Sequence, residues 1–472
     1  MRLTLRRSCD ACAKSKLSCD LRTPQCSRCT KKNTLCVYAN QPLTSSPPNA
    51  RAFDRPETSP EVSSLWSPLK QSSAVLLNTI DASVDPFNSY PRTNLARVHE
   101  QRLIQHFLSK IAFQYYPLDL DASSNPFVVM WWPLALSDPA LFHVSLQTAS
   151  LDIDLRDRRG FANSEILMAD SVSLVRKRVE DPSLVLQDAT MDSVVTLAAI
   201  EFGKGQTEIG QMHIDGIINM VHLRGGIHQV KVTSPLTARM VSWVSLILTQ
   251  RPQFATQDDC GIGAGIAPIL QWIQAAKPST GLPITPLDGL DLDLATSETL
   301  RRLRKVLHDS NSSGLSTTDL HDLTCFVLHR MLGQLSVNDS DNAREILLTS
   351  ECVRKAASLY MLNIHGPTYF SHAGLQQTLV QDLRACLDTL LLPLLVSHSS
   401  VALWLLSVGM VSSEDEHELQ WFNQQAKEAI RTLNISSWQT ILAQMRMVLW
   451  FNSRQMERLS RDRWKTILGG NA

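Results

Sequence analysis

The sequence predicts a mainly α-helical chain with three parts: a small N-terminal module organised by cysteines, a disordered linker, and a large all-α domain. Three observations lead there. Apolar residues recur at three- and four-residue intervals over much of residues 93–472, while strand-like alternation is scarce. Prolines crowd the segment just before that region. Six of the ten cysteines fall between Cys9 and Cys36. The parts run over 1–40, 41–92 and 93–472.

In the first part the cysteines are spaced C-x2-C-x6-C-x6-C-x2-C-x6-C, one half-motif written twice. A zinc ion takes four ligands in a tetrahedron, and thiolate is among its preferred donors. Two ions need eight ligand positions, which six thiolates supply only if two of them bridge both metals. A twofold-repeated half-motif suits that arrangement, because the equivalent cysteine of each half can bridge. The x2 spacings (Cys9/Cys12, Cys26/Cys29) let one turn put two sulfurs on one ion, and each x6 arm is a short helix and a return. A disulfide framework would require an oxidising compartment. Only Leu3-Thr4-Leu5 precedes Arg6-Arg7, with no apolar signal region. One zinc with two spare thiols is the other alternative, and nothing in the repeat singles out four ligands.

Charge points to the partner. Residues 1–40 hold nine Lys/Arg against two Asp, a balance of +7. Two Zn²⁺ with six thiolates would contribute about −2, leaving roughly +5. The whole chain has 45 basic and 45 acidic residues, so residues 41–472 carry −7. A basic head on a mildly acidic body is the asymmetry expected when only the head meets nucleic-acid phosphate.

The run Arg7-Ser8-Cys9-Asp10-Ala11-Cys12 to Cys19-Asp20, with Pro24-Gln25-Cys26-Ser27-Arg28-Cys29 and Cys36-Val37-Tyr38, resembles the fungal binuclear zinc cluster transcription factors. The resemblance implies that Cys9 and Cys26 bridge two zinc ions. Cys12 and Cys19 would complete one ion, Cys29 and Cys36 the other. It also implies a short helix in the DNA major groove, where a lysine three residues before the third cysteine reads CGG-like triplets. That position is Lys16. Lys14, Arg6, Arg7, Arg28, Lys31 and Lys32 are the phosphate-contact candidates. Ala13, Ser15 and Ser18 occupy positions where relatives often carry cations, which predicts modest affinity for a single site.

Pro42, Pro47, Pro48, Pro56, Pro60 and Pro68 interrupt a Ser/Thr-rich stretch. It cannot bury enough apolar surface to offset its ordering entropy, so a flexible tether is expected. Proline at this density also excludes the coiled coil that many relatives place after the cluster. Any homodimer would therefore form through the helical domain. Ser46, Ser59 and Ser67, each before a proline, are possible phosphorylation sites, although linkers are commonly rich in both residues.

In the third part Ile104, Phe107, Leu108 and Ile111 share a helix face, as do Ile214, Ile217, Ile218 and Val221, with Gly225-Gly226 as the helix stop. Further helices are expected in 194–202, 237–248, 297–307, 320–335, 343–362, 375–392 and 436–451. Asp138, Asn163, Asp192 and Asp319 are candidate helix starts. The breaker-rich stretch Gln253–Asp293 should divide two helical halves and be partly disordered. Asp85-Pro86-Phe87, Trp132-Pro133-Leu134, Ser137 to Phe142, His222-Leu223-Arg224-Gly225-Gly226, Trp404 to Gly409 and Trp421-Phe422 are similar to the fungal-specific transcription factor domain. That resemblance implies an all-α regulatory domain working with the transcription machinery or co-regulators of RNA polymerase II, in the nucleus.

Other motifs are weaker. The uncharged run Thr389–Val411 is split by Pro393 and Ser397-His398-Ser399-Ser400, so a buried helix pair is expected and no membrane partner. His213, His222 and His228 do not share one helix face, and Gly261–Gly265 reads as loop. Cys260, Cys325, Cys352 and Cys386 are isolated in sequence, as reduced thiols usually are. Glu414-Asp415-Glu416 beside Leu419, Trp421 and Phe422 fits an acidic-aromatic activation patch or a helix start. No P-loop, H-E-x-x-H, G-x-S-x-G or D-D-x-x-D occurs, and no enzyme is expected. A zinc-organised protein-binding adaptor is the alternative, but it gives no account of the basic excess.

Overall fold

A computed structural model describes residues 10–15, 27–32, 34, 90–115, 121–157, 161–276, 286–287, 289–313, 315–333 and 341–469. The chain divides into two units, 1–59 and 60–472. The expected linker falls mostly outside the described residues. Among those described the chain is helical, apart from an isolated bridge between Thr256 and Ile266.

The N-terminal unit shows two short helices, α1 (Asp10–Lys14) and α2 (Ser27–Lys32). In the large unit the first half comprises α3 (Arg97–His106), α4 (Ala112–Gln114), α5 (Trp132–Ser137), α6 (Pro139–Asp157), α7 (Ala162–Glu180), α8 (Asp188–Gly203), α9 (Thr207–Leu223), α10 (Ile227–Thr233) and α11 (Pro235–Thr249). A short α12 (Leu270–Gln274) leads into the second half. That half holds α13 (Leu294–Ser313), α14 (Thr317–Leu332), α15 (Asp341–His365), α16 (Ala373–Ser397), α17 (Ser399–Ser412), α18 (Glu416–Thr432), α19 (Trp438–Val448) and α20 (Arg454–Gly469).

Each half is built around a helix that is apolar on every side, the pattern of a fully enclosed helix. In the first half α8 packs against α6, α7, α9 and α11. In the second, α17 packs against α15, α16, α18, α19 and α20, and from Val401 to Met410 it is entirely buried. Gly409 is what lets α18 approach, since a Cβ there would overlap the buried ring of Phe422. The expected buried pair over Thr389–Val411 is thus α16 and α17. The break falls at His398, whose ring donates from Nε2 to the Gly289 carbonyl at 3.0 Å. Pro393 sits inside α16, where an exposed site tolerates it. No helix among the described residues is long and apolar enough to cross a membrane.

Several helix starts differ from expectation. Asp138 does cap α6, its Oδ1 accepting from Leu141 N–H at 3.0 Å. Asp319 is the third residue of α14, and its N–H donates to the true cap, Ser316, at 3.0 Å. Asn163 is the second residue of α7 rather than its cap. Asp192 lies buried inside α8. Part of the stretch expected to be disordered is ordered: Gln257 N–H donates to Ile266 O and Ile266 N–H to Ala255 O, both at 2.9 Å. Gly261 and Gly263, at φ +82° and +127°, make it a loop, as the glycine run suggested.

The Arg224-Gly225-Gly226 stop ties three helices together. Gly225 and Gly226 take φ of +90° and +99°, and Gly226 N–H closes the helix end on Val221 O at 2.9 Å. Arg224 then reaches Asp188 at the start of α8 (2.5 Å) and Thr233 at the end of α10 (2.6 Å). Ser234 Oγ donates to the second Asp188 oxygen.

Gly409→Ala should destabilise the large unit by about 1–3 kcal/mol, because Phe422 has no room to move. Urea unfolding of the variant against the parent measures this.

Candidate metal centre and nucleic-acid interface

The sequence repeat of the head is also a structural repeat. Cys12 is the third residue of α1 and Cys29 the third residue of α2, and the two helices pack against each other. Both thiols are buried, at 1% and 2% exposure, and they are the only core residues among those described in this unit. Two buried thiols at equivalent positions of packed helices suit metal ligands, thiolate being among zinc's preferred donors. Cys9, Cys19, Cys26 and Cys36 lie outside the described residues. Among the described residues, accordingly, no group of three or more potential ligands is assembled.

Cations follow the sulfurs at matching positions. Lys14 stands two residues after Cys12, and Lys31 two residues after Cys29; both are exposed, as is Lys32, while Arg28 is half-buried. Lys31 and Lys32 occupy the last turn of α2, where the helix dipole favours positive charge. Thr34 N–H closes that end on Cys29 O at 3.1 Å. Lys16, Arg6 and Arg7 lie outside the described residues.

The large unit assembles groups that sequence reading did not. Trp243 of α11 is covered by His365 (ring centroids 4.6 Å apart), His321 (5.1 Å) and His372 (6.4 Å). His321 Nδ1 lies 3.0 Å from His365 Nε2, and His365 Nδ1 lies 3.2 Å from the Gly366 carbonyl. A carbonyl can only accept, so His365 carries its proton on Nδ1 and accepts from His321. Burial lowers the pKa of His321 and His372 to about 4, and that of His365 well below its ordinary value. His329, also buried and stacked on Phe254, falls to about 4. These are neutral core residues, and spacings of tens of positions left no signal in the sequence.

One other expectation needs correction, and one open choice is decided. Cys352 and Cys386 are not isolated: the two thiols, on α15 and α16, are near enough to shift one another's pKa, upward for Cys352 and downward for Cys386, and both are free of disulfide. The acidic-aromatic segment is a helix start and no free patch. Asp415 accepts from His417 and Glu418 N–H, Phe422 is buried, and Arg384 covers Trp421 while pairing with Glu418 at 3.2 Å.

The fold and the head define a class of protein: a basic, cysteine-organised module joined to a helical domain. Two family models match, the fungal Zn(2)-Cys(6) binuclear cluster domain over residues 7–45 and the fungal specific transcription factor domain over residues 102–248. In these two segments the chain is similar to the fungal binuclear zinc cluster transcription factors. It is 47% identical over 57 residues to the transcription activator AKTR-2 of Alternaria alternata, covering 12% of this chain and 13% of that protein. It is 33% identical over 93 residues to the agnestins biosynthesis cluster transcription factor AgnL10 of Paecilomyces divaricatus, covering 19% and 23%. Against the transcriptional regulator AacuR of Aspergillus aculeatus it is 44% identical over 50 residues, covering 11% and 14%. The chain thus spans less than a quarter of the length of these relatives. No solved structure matches it.

The buried titratable groups give a pH dependence. Histidines whose native pKa lies below the unfolded value contribute stability that is complete above about pH 6.5 and is lost as pH falls towards 4. Asp192 runs the opposite way: burial raises it to about 8, so the native state holds a proton that the unfolded chain releases near pH 4. Above pH 6.5 the histidines no longer contribute a slope, and Asp192 alone should cost about 1.4 kcal/mol per pH unit up to about 8. Urea unfolding at successive pH values should therefore peak near pH 6.5. Asp192→Asn should flatten the alkaline limb and steepen the acid one, because its opposing slope runs from about pH 4 to 8.

Proposed function

We propose that this chain is a nuclear, sequence-specific DNA-binding regulator of transcription by RNA polymerase II, non-catalytic, whose head reads CGG-like triplets. The observation that carries this reading is the placement of Cys12 and Cys29 at equivalent buried positions on two packed helices, with Lys14, Lys31 and Lys32 exposed beside them. Residues 1–40 form the DNA-binding domain, 41–92 the tether and 93–472 the regulatory domain. The names of the relatives, all transcription regulators, support it.

In this reading two zinc ions organise the head, Cys9 and Cys26 bridging, Cys12 and Cys19 on one ion, Cys29 and Cys36 on the other. When bound, zinc supplies folding free energy that a forty-residue segment can draw only sparingly from a hydrophobic core. Lys16 donates to guanine O6 and N7 at the floor of the major groove, and Arg6, Arg7, Lys14, Arg28, Lys31 and Lys32 meet phosphate. The helical body engages the transcription machinery or co-regulators, and pairs with a second copy.

Purified protein should contain two zinc ions per chain. Cys9→Ala or Cys26→Ala should lower the metal content at both sites together, because each removes a shared ligand. Metal analysis giving one zinc at full occupancy would exclude the arrangement.

On duplex DNA, Lys16→Ala should cost about 1–3 kcal/mol on the preferred triplet and flatten discrimination against altered ones. Lys31→Ala or Lys32→Ala should weaken all sequences alike and reduce the salt slope by about one unit. Equal loss on random DNA from Lys16→Ala would remove it as the base reader.

A further inference from the structure

Gly216 sits in the middle of α9 with ordinary helical geometry, and a Cβ added to it would meet nothing within 4 Å. Glycine within a helix costs stability relative to alanine, so a helical glycine normally answers to a close neighbour. Gly210, six residues earlier, has one: its Cβ would stand 3.2 Å from the Ala198 carbonyl oxygen of α8. Gly216 has no such reason among the described residues.

Its surroundings supply one. Ile209, Met212, Gly216, Asn219 and Leu223 follow one another at intervals of three, four, three and four residues. That is the seam of a coiled-coil-like helix pair, but here it faces outward. Ile209 is 42% exposed, Met212 61% and Leu223 72%. The opposite face of α9, with Gly210, Ile214, Ile217 and Val221, is the one that packs inward.

We propose that this face of α9 is a dimerisation surface on which a second copy of this chain docks antiparallel, with Gly216 near the twofold axis. A second copy fits because the seam is its own complement under that symmetry. Ile209 of each chain meets Leu223 of the other, Met212 lies beside Asn219, and the two glycines let the backbones approach at the crossing. Exposed Glu208 in the first turn comes against exposed His222 in the last turn of the other copy, with the helix dipoles opposed. A shallow crossing of about 20° keeps the ends of the seam in contact.

One 17-residue helix offers less than the roughly 800 Å² per partner of a stable complex. The dimer is therefore weak when free, and two DNA triplets on one duplex strengthen it by raising the effective concentration of the second chain. The proposal deepens the pairing stated above, yet self-association is measurable without DNA.

Sedimentation of the full-length zinc-loaded protein without DNA should show a concentration-dependent dimer. Gly216→Leu and Met212→Glu should each raise its dissociation constant about tenfold or more. Gly216→Leu should at the same time leave the thermal midpoint unchanged or higher, since the isolated fold has room for the side chain. In a Cys260→Ser background, Gly216→Cys should cross-link to its counterpart under mild oxidation, and Gln211→Cys, on a different face, should not. A monomer at every soluble concentration, a dimer indifferent to both substitutions, or equal cross-linking through Gln211→Cys would each overturn the proposal. A dimer that responds as expected while the protein ignores duplex DNA would instead sink the DNA reading alone.

Discussion

The large unit depends on the closure of its two halves over Trp243. That indole belongs to α11, in the first half. The rings that cover it come from α14, the end of α15 and the segment before α16, all in the second half. An aromatic contact of this kind adds stabilisation beyond the area it buries, and here it brings three polar rings into the core with it. The chain from His321 to His365 to the Gly366 carbonyl offsets part of the cost for two of them, and burial keeps all three neutral. The Arg239–Asp322 pair, at 2.8 and 3.0 Å, fastens α11 to α14 beside it.

The head obeys a different physics. Among its described residues Cys12 and Cys29 are the enclosed ones, and a segment of forty residues has little surface from which to build a hydrophobic core. The large unit stands on hydrocarbon, from Leu103 to Ile467. This contrast explains why one half-motif could be written twice in forty residues without any apolar periodicity. Metal–thiolate bonding asks for spacing, and hydrophobic packing asks for period.

Charge divides along the same line. Cations of the head, Lys14, Lys31 and Lys32, stand exposed. Several of those in the body are paired within it: Arg178 on Asp138, Arg224 on Asp188, Arg239 and Lys231 on Asp322, Arg354 on Asp293.

Much of this was legible in the sequence. Six cysteines at fixed intervals defined the metal module, because ligand count and geometry leave few arrangements. Apolar spacing defined the helices at 104–111 and 214–221 and the stop at Gly225-Gly226, because helix faces and positive φ constrain residue type locally. The sequence also separated α16 from α17, at the polar run that holds His398, while Pro393, the other expected break, lies inside α16. Only the tertiary structure decided the rest. Asp192 reads as a helix start, yet it is buried mid-helix, because depth is set by neighbours distant in the chain. His321, His365 and His372 read as unrelated residues, and Cys352 and Cys386 as lone thiols, until packing brought them together. Trp421 and Phe422 fitted a patch or a helix start equally until packing set Gly409 and Arg384 against them. Period and spacing are local quantities, and burial and partnership are not; that is why α9 could be foreseen as a helix from its inward face, while its outward seam became visible only once the fold had left it uncovered.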